Sequence, residues 1–489
     1  MKQRMSCVLA LVVGLLALTS SAFEFKVKLW RGETVNVLLW ESQILGETPP
    51  GLTIRTATLA PVKYATAPMG MQLLEARDRV VWGGQDTGPI VLEVTAAPDI
   101  KPGLYRCGKV DIEVIDRVLP PAKDWKFYLD LWQHPWAVSR WNGVEPFSEG
   151  HFRAMRPLWE LLATAGQKSL TCTLVDQPWD HQCYDAYGSM IGRVKRDDGT
   201  WKFDYTIFDR YVEFGRSCGL GPRIACYTMC PWGYICRYQN ERGETIAVNG
   251  TPGKPEFDDF WGDFLVDFAK HLKEKGWFND TYIAMDERSP EDVRYIVNFV
   301  RTKAPGLKIS MPGNFKVEEL KEMKIEAYCS ILRETRLTPE YLALAAERRK
   351  EGMSTTYYVC CGPQYPNVFM SSGPGEAFWL GVFPAVCGLD GFWRWAWNSW
   401  PKDPMHDATF GRWPAGDTYF VYPDGSPSWR FLELRNGIVA AEKLRILKEQ
   451  GLFAEEIAKL SKRFKVKEAT QGKSDFVQIR QDVLDLVNR

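Results

Sequence analysis

The sequence is short of histidine, of net charge and of long apolar runs, and each shortage removes a class of function. Its 61 Lys and Arg are matched by 61 Asp and Glu, so no overall field draws it to nucleic acid or to an anionic membrane surface. Five histidines are spread over 489 residues, and no carboxylate cluster has metal-ligand spacing, so no metal is expected. Cys226, Cys230 and Cys236 are spaced C-x3-C-x5-C, which lacks both the C-x2-C pair and the nearby fourth ligand of a zinc site. No G-x-G-x-x-G or P-loop follows the first strand of the main domain, which argues against a bound nucleotide. No cofactor is expected.

The one apolar run of any length, Val8 to Leu18, follows Lys2 and Arg4 and precedes the small residues Ser20-Ser21-Ala22. That order is the pattern of a signal peptide over residues 1–22, so a periplasmic or secreted protein is expected. The run is too short for a membrane span, and no second one follows. Cys7 lies inside it rather than after the cleavage site, against a lipid anchor. Its removal leaves eleven of twelve cysteines, read as buried free thiols with room for one or two disulfides. Adjacent Cys360 and Cys361 do not readily bridge each other and are expected to pack as small hydrophobes at a strand end. Oligomeric state is left open.

Aromatic residues are in excess. Twenty Trp and nineteen Tyr exceed what a core of this size requires, and flat amphipathic rings stack on the apolar faces of sugars. A neutral glycan or glycoconjugate fits the charge balance. The segment 23–120 alternates apolar and polar positions in short runs such as Phe25-Lys-Val-Lys-Leu-Trp30 and Val35-Asn-Val-Leu-Leu-Trp40, broken by Pro49-Pro50-Gly51 and Gly83-Gly84. This predicts an antiparallel β-sandwich that buttresses the next domain or shapes its mouth. From residue 121 to 451 strands alternate with amphipathic helices. Eight strands are predicted, over 126–132, 169–176, 223–229, 282–287, 308–311, 325–331, 354–361 and 391–398, giving a (β/α)8 TIM barrel. Hairpins around Asp197-Asp198-Gly199 and Glu241-Arg242-Gly243 are expected to wall its mouth. Residues 452–489 read as charged helices packed outside.

The fourth strand, Tyr282-Ile-Ala-Met-Asp-Glu287, ends in two adjacent carboxylates, and barrel enzymes keep catalytic groups at the carboxyl ends of their strands. Asp286 as a cap of the next helix and Glu287 as a solvated charge is the alternative. Other strand ends bring His134, Trp179, Tyr227, Trp232, Tyr358, Arg394, Trp397 and Asn398, a mixture of ring platforms and hydrogen-bonding groups suited to a sugar. By period-two alternation Trp395 and Trp397 share one face, and Trp397 with Asn398 is placed near the non-reducing sugar. The seventh strand offers no carboxylate, so Asp286 and Glu287 have no partner across a glycosidic bond. A 2-acetamido sugar supplies its own nucleophile, and then one carboxylate to orient the acetamido group and one acid for the leaving oxygen suffice.

The chain resembles glycoside hydrolase family 123. The resemblance rests on Tyr282-Ile-Ala-Met-Asp-Glu287, Gly391-Phe-Trp-Arg-Trp-Ala-Trp-Asn-Ser-Trp400, Gly416-Asp-Thr-Tyr-Phe-Val-Tyr-Pro423 and Ser428-Trp-Arg-Phe-Leu-Glu-Leu-Arg435, and covers most of 23–450. It implies a β-sandwich and TIM barrel acting as an exo-β-N-acetylgalactosaminidase through the substrate's acetamido group. It also implies Asp286 as oxazolinium stabiliser and Glu287 as general acid/base. A glycosidase of other sugar specificity and a non-catalytic glycan-binding protein are the rival readings.

Overall fold

The computed structural model describes residues 25–39, 45–65, 73–84, 89–411 and 413–489; the expected signal peptide and Trp40 lie outside them. Seven strands come first: β1 (Phe25–Arg31), β2 (Thr34–Leu39), β3 (Leu52–Ala65), β4 (Leu73–Trp82), β5 (Ile90–Ala96), β6 (Gly103–Cys107) and β7 (Val110–Val118). They make two sheets, β1-β7-β6 and β2-β5-β3-β4. Alternation in β7 buries Val110, Ile112 and Val114 on one face, and these meet Val27 and Leu29 of β1 and Leu92 and Val94 of β5 in a shared core. The arrangement departs from the antiparallel expectation at one pair: β1 runs parallel to β7. The first and last strands of the unit have no hairpin between them, and the five intervening strands supply the crossover that parallel pairing requires.

Twelve further strands follow: β8 (Tyr128–Leu131), β9 (Ser169–Thr173), β10 (Gly192–Lys195), β11 (Trp201–Asp204), β12 (Arg223–Tyr227), β13 (Ile235–Asn240), β14 (Thr245–Asn249), β15 (Thr281–Ala284), β16 (Lys308–Gly313), β17 (Ala327–Ile331), β18 (Ser354–Tyr358) and β19 (Gly391–Arg394). Eight of them pair in parallel in the order β8-β19-β18-β17-β16-β15-β12-β9, the sheet of a (β/α)8 barrel. All eight are buried runs with no solvent-exposed face, as a strand covered by helices on one side and barrel filling on the other must be; their polar residues, such as Ser169, Thr171 and Thr173 of β9, are buried too.

The seam between β8 and β9 closes differently. Beside the backbone bond from Lys168 to the Leu129 carbonyl (2.9 Å), two buried glutamines stand in for the ladder. The Gln167 side chain accepts from the Leu131 amide at 3.0 Å and donates to the Ser169 carbonyl at 2.7 Å, while the Gln133 side-chain oxygen accepts from the Thr171 amide at 2.8 Å. A side-chain amide has the donor and acceptor of a peptide group, so it can satisfy backbone groups that would each cost about 1–3 kcal/mol if buried unpaired.

The two predicted hairpins form, and they join into one sheet, β11-β10-β13-β14. Its placement corrects the expectation that it walls the mouth. Arg193 of β10 is buried under Phe260, Trp261 and Phe264 of the helix Pro255–Glu274, with its guanidinium 3.8 Å from the Phe264 ring centre, so the sheet rides on that helix. Among the described residues no helix is long and apolar enough to cross a membrane.

The helix Trp429–Glu449 joins the β-sandwich to the barrel and is buried along most of its length. It meets the sandwich through three buried ion pairs: Arg430 with Asp78 (3.0 Å), Arg435 with Glu93 (3.0 Å) and Lys443 with Glu33 (2.5 Å). Arg430 also donates to the carbonyls of Val368 and Gly416, tying two barrel loops to the same junction. The C-terminal helices Ala454–Ser461 and Phe476–Val487 pack outside, where Phe464 and Phe476 cover Trp379.

Breaking a buried pair strands a charge that water cannot reach. Asp78→Ala is expected to destabilise the protein by about 3–5 kcal/mol in denaturant unfolding, because Arg430 remains buried without its partner. Breaking an exposed pair, by Arg242→Ala beside Glu244, should leave the unfolding midpoint almost unchanged. Equal effects of the two substitutions would show that the junction does not depend on Asp78.

Candidate active site

Strand β15 stops at Ala284, Met285 is buried, and Asp286 and Glu287 emerge into the open end of the barrel. The helix that follows, Pro290–Lys303, is capped by Ser289, whose Oγ accepts from the Asp292 amide at 3.1 Å. Capping is therefore not the role of Asp286. Its Oδ2 accepts from the indole N–H of Trp232 at 2.7 Å and its Oδ1 from the Glu287 amide at 2.8 Å, which fixes the carboxylate plane. Glu287 is held more loosely, by the Asn314 side-chain amide at 3.3 Å.

The two acids have different surroundings. Burial pushes Glu287 up to about 7, and the charge of Asp286 pushes it the same way, with Asn314 and Arg333 opposing. Burial also raises Asp286, but the Trp232 indole and the Glu287 amide favour its charged form. One group is thus suited to carry negative charge and the other to hold a proton near neutral pH.

Both acids open onto a cleft of about 860 Å³ at the carboxyl end of the barrel. Trp132 follows β8, Trp179 follows β9, Trp232 follows β12, Tyr358 ends β18, Trp393 and Arg394 end β19, and Trp395 follows them. Phe410 and Trp413 enter from the long loop after β19, and Asp417 from farther along it. Arg394 is fully buried, held by Asp417 at 2.5 Å and donating to the Val359 carbonyl at 2.8 Å. Burial pushes Asp417 up to about 6, opposed by the charges of Arg394 and Arg430.

Of the predicted sugar contacts, Trp179, Trp232, Tyr358 and Arg394 line this cleft, and four others do not. His134 is buried and stacked 3.6 Å from the Tyr187 ring, with Nε2 3.0 Å from the Asp185 carbonyl; burial pushes it down to about 3 and keeps it neutral. Asn398 accepts from the His134 amide at 2.9 Å and donates to the His134 carbonyl at 3.0 Å, bracing the loops after β8 and β19. Tyr227 sits behind Trp132 and Trp179, at 4.5 and 5.2 Å between ring centres, and supports them. Trp397 packs against Phe431 of the helix Trp429–Glu449, at 4.8 Å.

The misplacement of Trp397 has a simple cause. Alternation holds only while a strand continues, and β19 ends at Arg394 instead of running to residue 398. Strand β18 shows the rule working, since Tyr358 lines the cleft while Tyr357 donates to the Leu380 carbonyl on the helix side at 2.6 Å.

Other cleft residues were not singled out from sequence. Trp132, Asn314 and Trp395 directly follow β8, β16 and β19 and so carry the strand-end signal that selected Trp179, whereas Phe410, Trp413 and Asp417 lie in the long loop after β19, without periodicity. Cys226, Cys230 and Cys236 are buried, and their surroundings push each thiol up, away from the ionised form a metal would need.

Comparison with known proteins follows the same lines. A search of curated protein sequences found no match. The solved structure of a family 123 glycoside hydrolase from Clostridium perfringens, described in terms of glycolipid glycan hydrolysis, shares 22% identity, covering 95% of this chain and 94% of that one, with a TM-score of 0.80. The β-amylase catalytic domain from Paenibacillus polymyxa covers 59% of this chain and 94% of its own at 10% identity, but a TM-score of 0.34 is too low to bear on the reading. The family profile described as glycoside hydrolase 123, catalytic domain, matches residues 132–447, from the Trp that begins the cleft through most of the helix that backs it. The chain belongs to glycoside hydrolase family 123 and is a glycosidase.

Proposed function

We propose that the protein is an exported, retaining exo-β-N-acetylgalactosaminidase, a β-N-acetylhexosaminidase whose nucleophile is the substrate's own 2-acetamido carbonyl. The observation that carries this reading is the unequal pair: two adjacent acids from one strand end, one pinned by two N–H donors and one with its pKa raised to about 7. Neighbours on one strand end diverge and do not flank a glycosidic bond as an acid and a nucleophile do. They can serve two atoms on the same side of a sugar.

In the first step the acetamido oxygen attacks the anomeric carbon and the bond to the leaving oxygen breaks. Asp286 accepts the acetamido N–H and balances the positive charge that grows on the oxazolinium ring. Glu287, protonated, gives its proton to the departing oxygen. In the second step Glu287, now a carboxylate, takes a proton from the water that opens the ring, which restores the acetamido group and the original anomeric configuration. An intramolecular nucleophile held in line acts at an effective concentration of roughly 10⁵ M or more, so no enzyme nucleophile is required. Trp179, Tyr358 and Arg394 are assigned to the sugar, and Trp232 contributes chiefly by holding Asp286. The galactosamine preference rests on the family resemblance, and export on the pattern of residues 1–22.

Four aryl glycosides test the substrate class: release from the β-N-acetylgalactosaminide and β-N-acetylglucosaminide, with none from the β-galactoside and β-glucoside, is expected. Equal hydrolysis of the 2-hydroxy sugars would end the acetamido account.

Substitutions separate the two acids. Glu287→Gln should slow an unactivated glycoside by roughly 10²–10⁴-fold, the usual range for general acid catalysis, and a dinitrophenyl glycoside far less in the glycosylation step. Asp286→Asn should slow both by similar factors. If Glu287→Gln affects the two substrates alike, it is not the acid.

The pH profile carries its own sign. Glu287 must be protonated in the free enzyme, so kcat/KM should fall as pH rises through about 7. Removing the Asp286 charge removes one cause of that raised value, and the falling limb of Asp286→Asn should move to lower pH. A limb that stays in place would separate it from the interaction between the two carboxyls.

A further inference from the structure

Two thiols on the cleft wall have no part in the chemistry above. Cys360 and Cys361 follow β18, both line the cleft, and their sulfur atoms are 3.9 Å apart. They are not the packed hydrophobes expected from sequence: Cys361 is exposed and Cys360 half-buried. The other described cysteines are all buried or half-buried, so Cys361 stands out as the accessible one. The hydrogen bond with Cys360 also pulls the Cys361 thiol down to about 7, which makes it the thiol better able to attack.

We propose that Cys360 and Cys361 form a reversible dithiol–disulfide site in the cleft wall, closed by exchange with small-molecule disulfides, and that closure alters the sugar cleft. The exchange balances. The Cys361 thiolate attacks one sulfur of a disulfide RSSR and expels RS⁻; Cys360 loses its proton and attacks the Cys361 sulfur, expelling the second RS⁻. The dithiol gives up two electrons and two protons, and RSSR becomes two RSH. Neighbouring Cα atoms are about 3.8 Å apart across a trans peptide, below the roughly 4.4–6.8 Å of ordinary disulfides, so the ring is strained and easily reopened. That suits an exchange site better than a structural staple.

The backbone here is tied to the binding groups, which gives closure a route to the cleft. The Val359 carbonyl accepts from Arg394 at 2.8 Å, and the Cys360 carbonyl accepts from the Asn367 side chain at 3.0 Å. Drawing the two sulfurs from 3.9 Å to bonding distance requires the peptide between the cysteines to turn, against the bond its own carbonyl makes with Asn367; the peptide just before it carries the Val359 carbonyl that holds Arg394. Arg394 is in turn paired with Asp417 in the cleft.

The test uses the full chain with oxidised glutathione, followed by alkylation and digestion to a peptide that carries Cys360 and Cys361 without Cys387. The expected result is an unalkylated peptide lighter by two hydrogens, restored by dithiothreitol. With it, kcat/KM on any glycoside the enzyme turns over should fall by roughly tenfold or more, since an ångström-scale displacement beside a reacting centre can cost on the order of 10²-fold. Cys361→Ser and Cys360→Ser, each compared with its own untreated rate, should lose the dithiothreitol-reversible inhibition by intramolecular closure. Two alkylated thiols, or a mixed glutathione adduct alone, would overturn the site. A disulfide that forms with kcat/KM unchanged would overturn its effect on the cleft, and the mass readout needs no assumption about the substrate.

Discussion

Two carboxyl groups on consecutive residues, partly withdrawn from water, resist both being charged. Each charge in a medium of reduced dielectric raises the cost of the other, and the structure settles the conflict by giving its N–H donors to one side. Trp232 and the Glu287 amide favour a charged Asp286; Glu287, left with one long contact from Asn314, keeps its proton to about 7. The division of labour in the proposed mechanism depends on that asymmetry. Adjacent acids in equal surroundings would share a proton and specify neither role.

The rest of the fold keeps this arrangement in place. Barrel closure at the β8–β9 seam uses the side chains of Gln133 and Gln167, and the loop directly after Gln133 carries His134, which Asn398 ties to the loop after β19. Beside the seam, at the neighbouring strand β19, a series of buried charges runs from the sandwich to the cleft: Asp78 holds Arg430, Arg430 holds the Gly416 carbonyl, and the next residue, Asp417, holds Arg394. Among the described residues the β-sandwich thus contributes to the cleft through charge pairs rather than by lending a lining residue.

How far the sequence discloses this depends on the kind of signal. Short runs of apolar, β-branched and aromatic residues between turn signals made all eight barrel strands legible, because a strand buried on both faces holds few charged residues even where, as in β9 and β18, it carries Ser and Thr. Their ends were less so. Strand β19 was expected to reach residue 398 and stops at 394, and with it the assignment of Trp397 to the sugar gives way to Trp393 and Trp395. Strand β1 beside β7 was equally hidden, since parallel pairing of distant segments has no local mark. Phe410 and Asp417 line the cleft from a long loop, where no periodicity says which way a side chain points. His134 looked like a ligand because it follows a strand, but its ring is used in stacking and in one backbone contact. The position of the two acids was the most legible, since an apolar strand that ends in two carboxylates delivers both to the open end of the barrel, while the capping alternative was set aside only by the bond from Asp292 to Ser289.

The most direct measurement of the central claim varies the nucleophile rather than the protein. A series of aryl 2-acetamido glycosides with zero, one, two and three fluorines on the acetyl methyl group lowers the basicity of the carbonyl oxygen stepwise while leaving the leaving group fixed. If that oxygen attacks the anomeric carbon with Asp286 balancing the charge, log kcat/KM falls steeply and linearly along the series. A flat series would mean that the acetamido group is only recognised, and that the nucleophile belongs to the enzyme or to water.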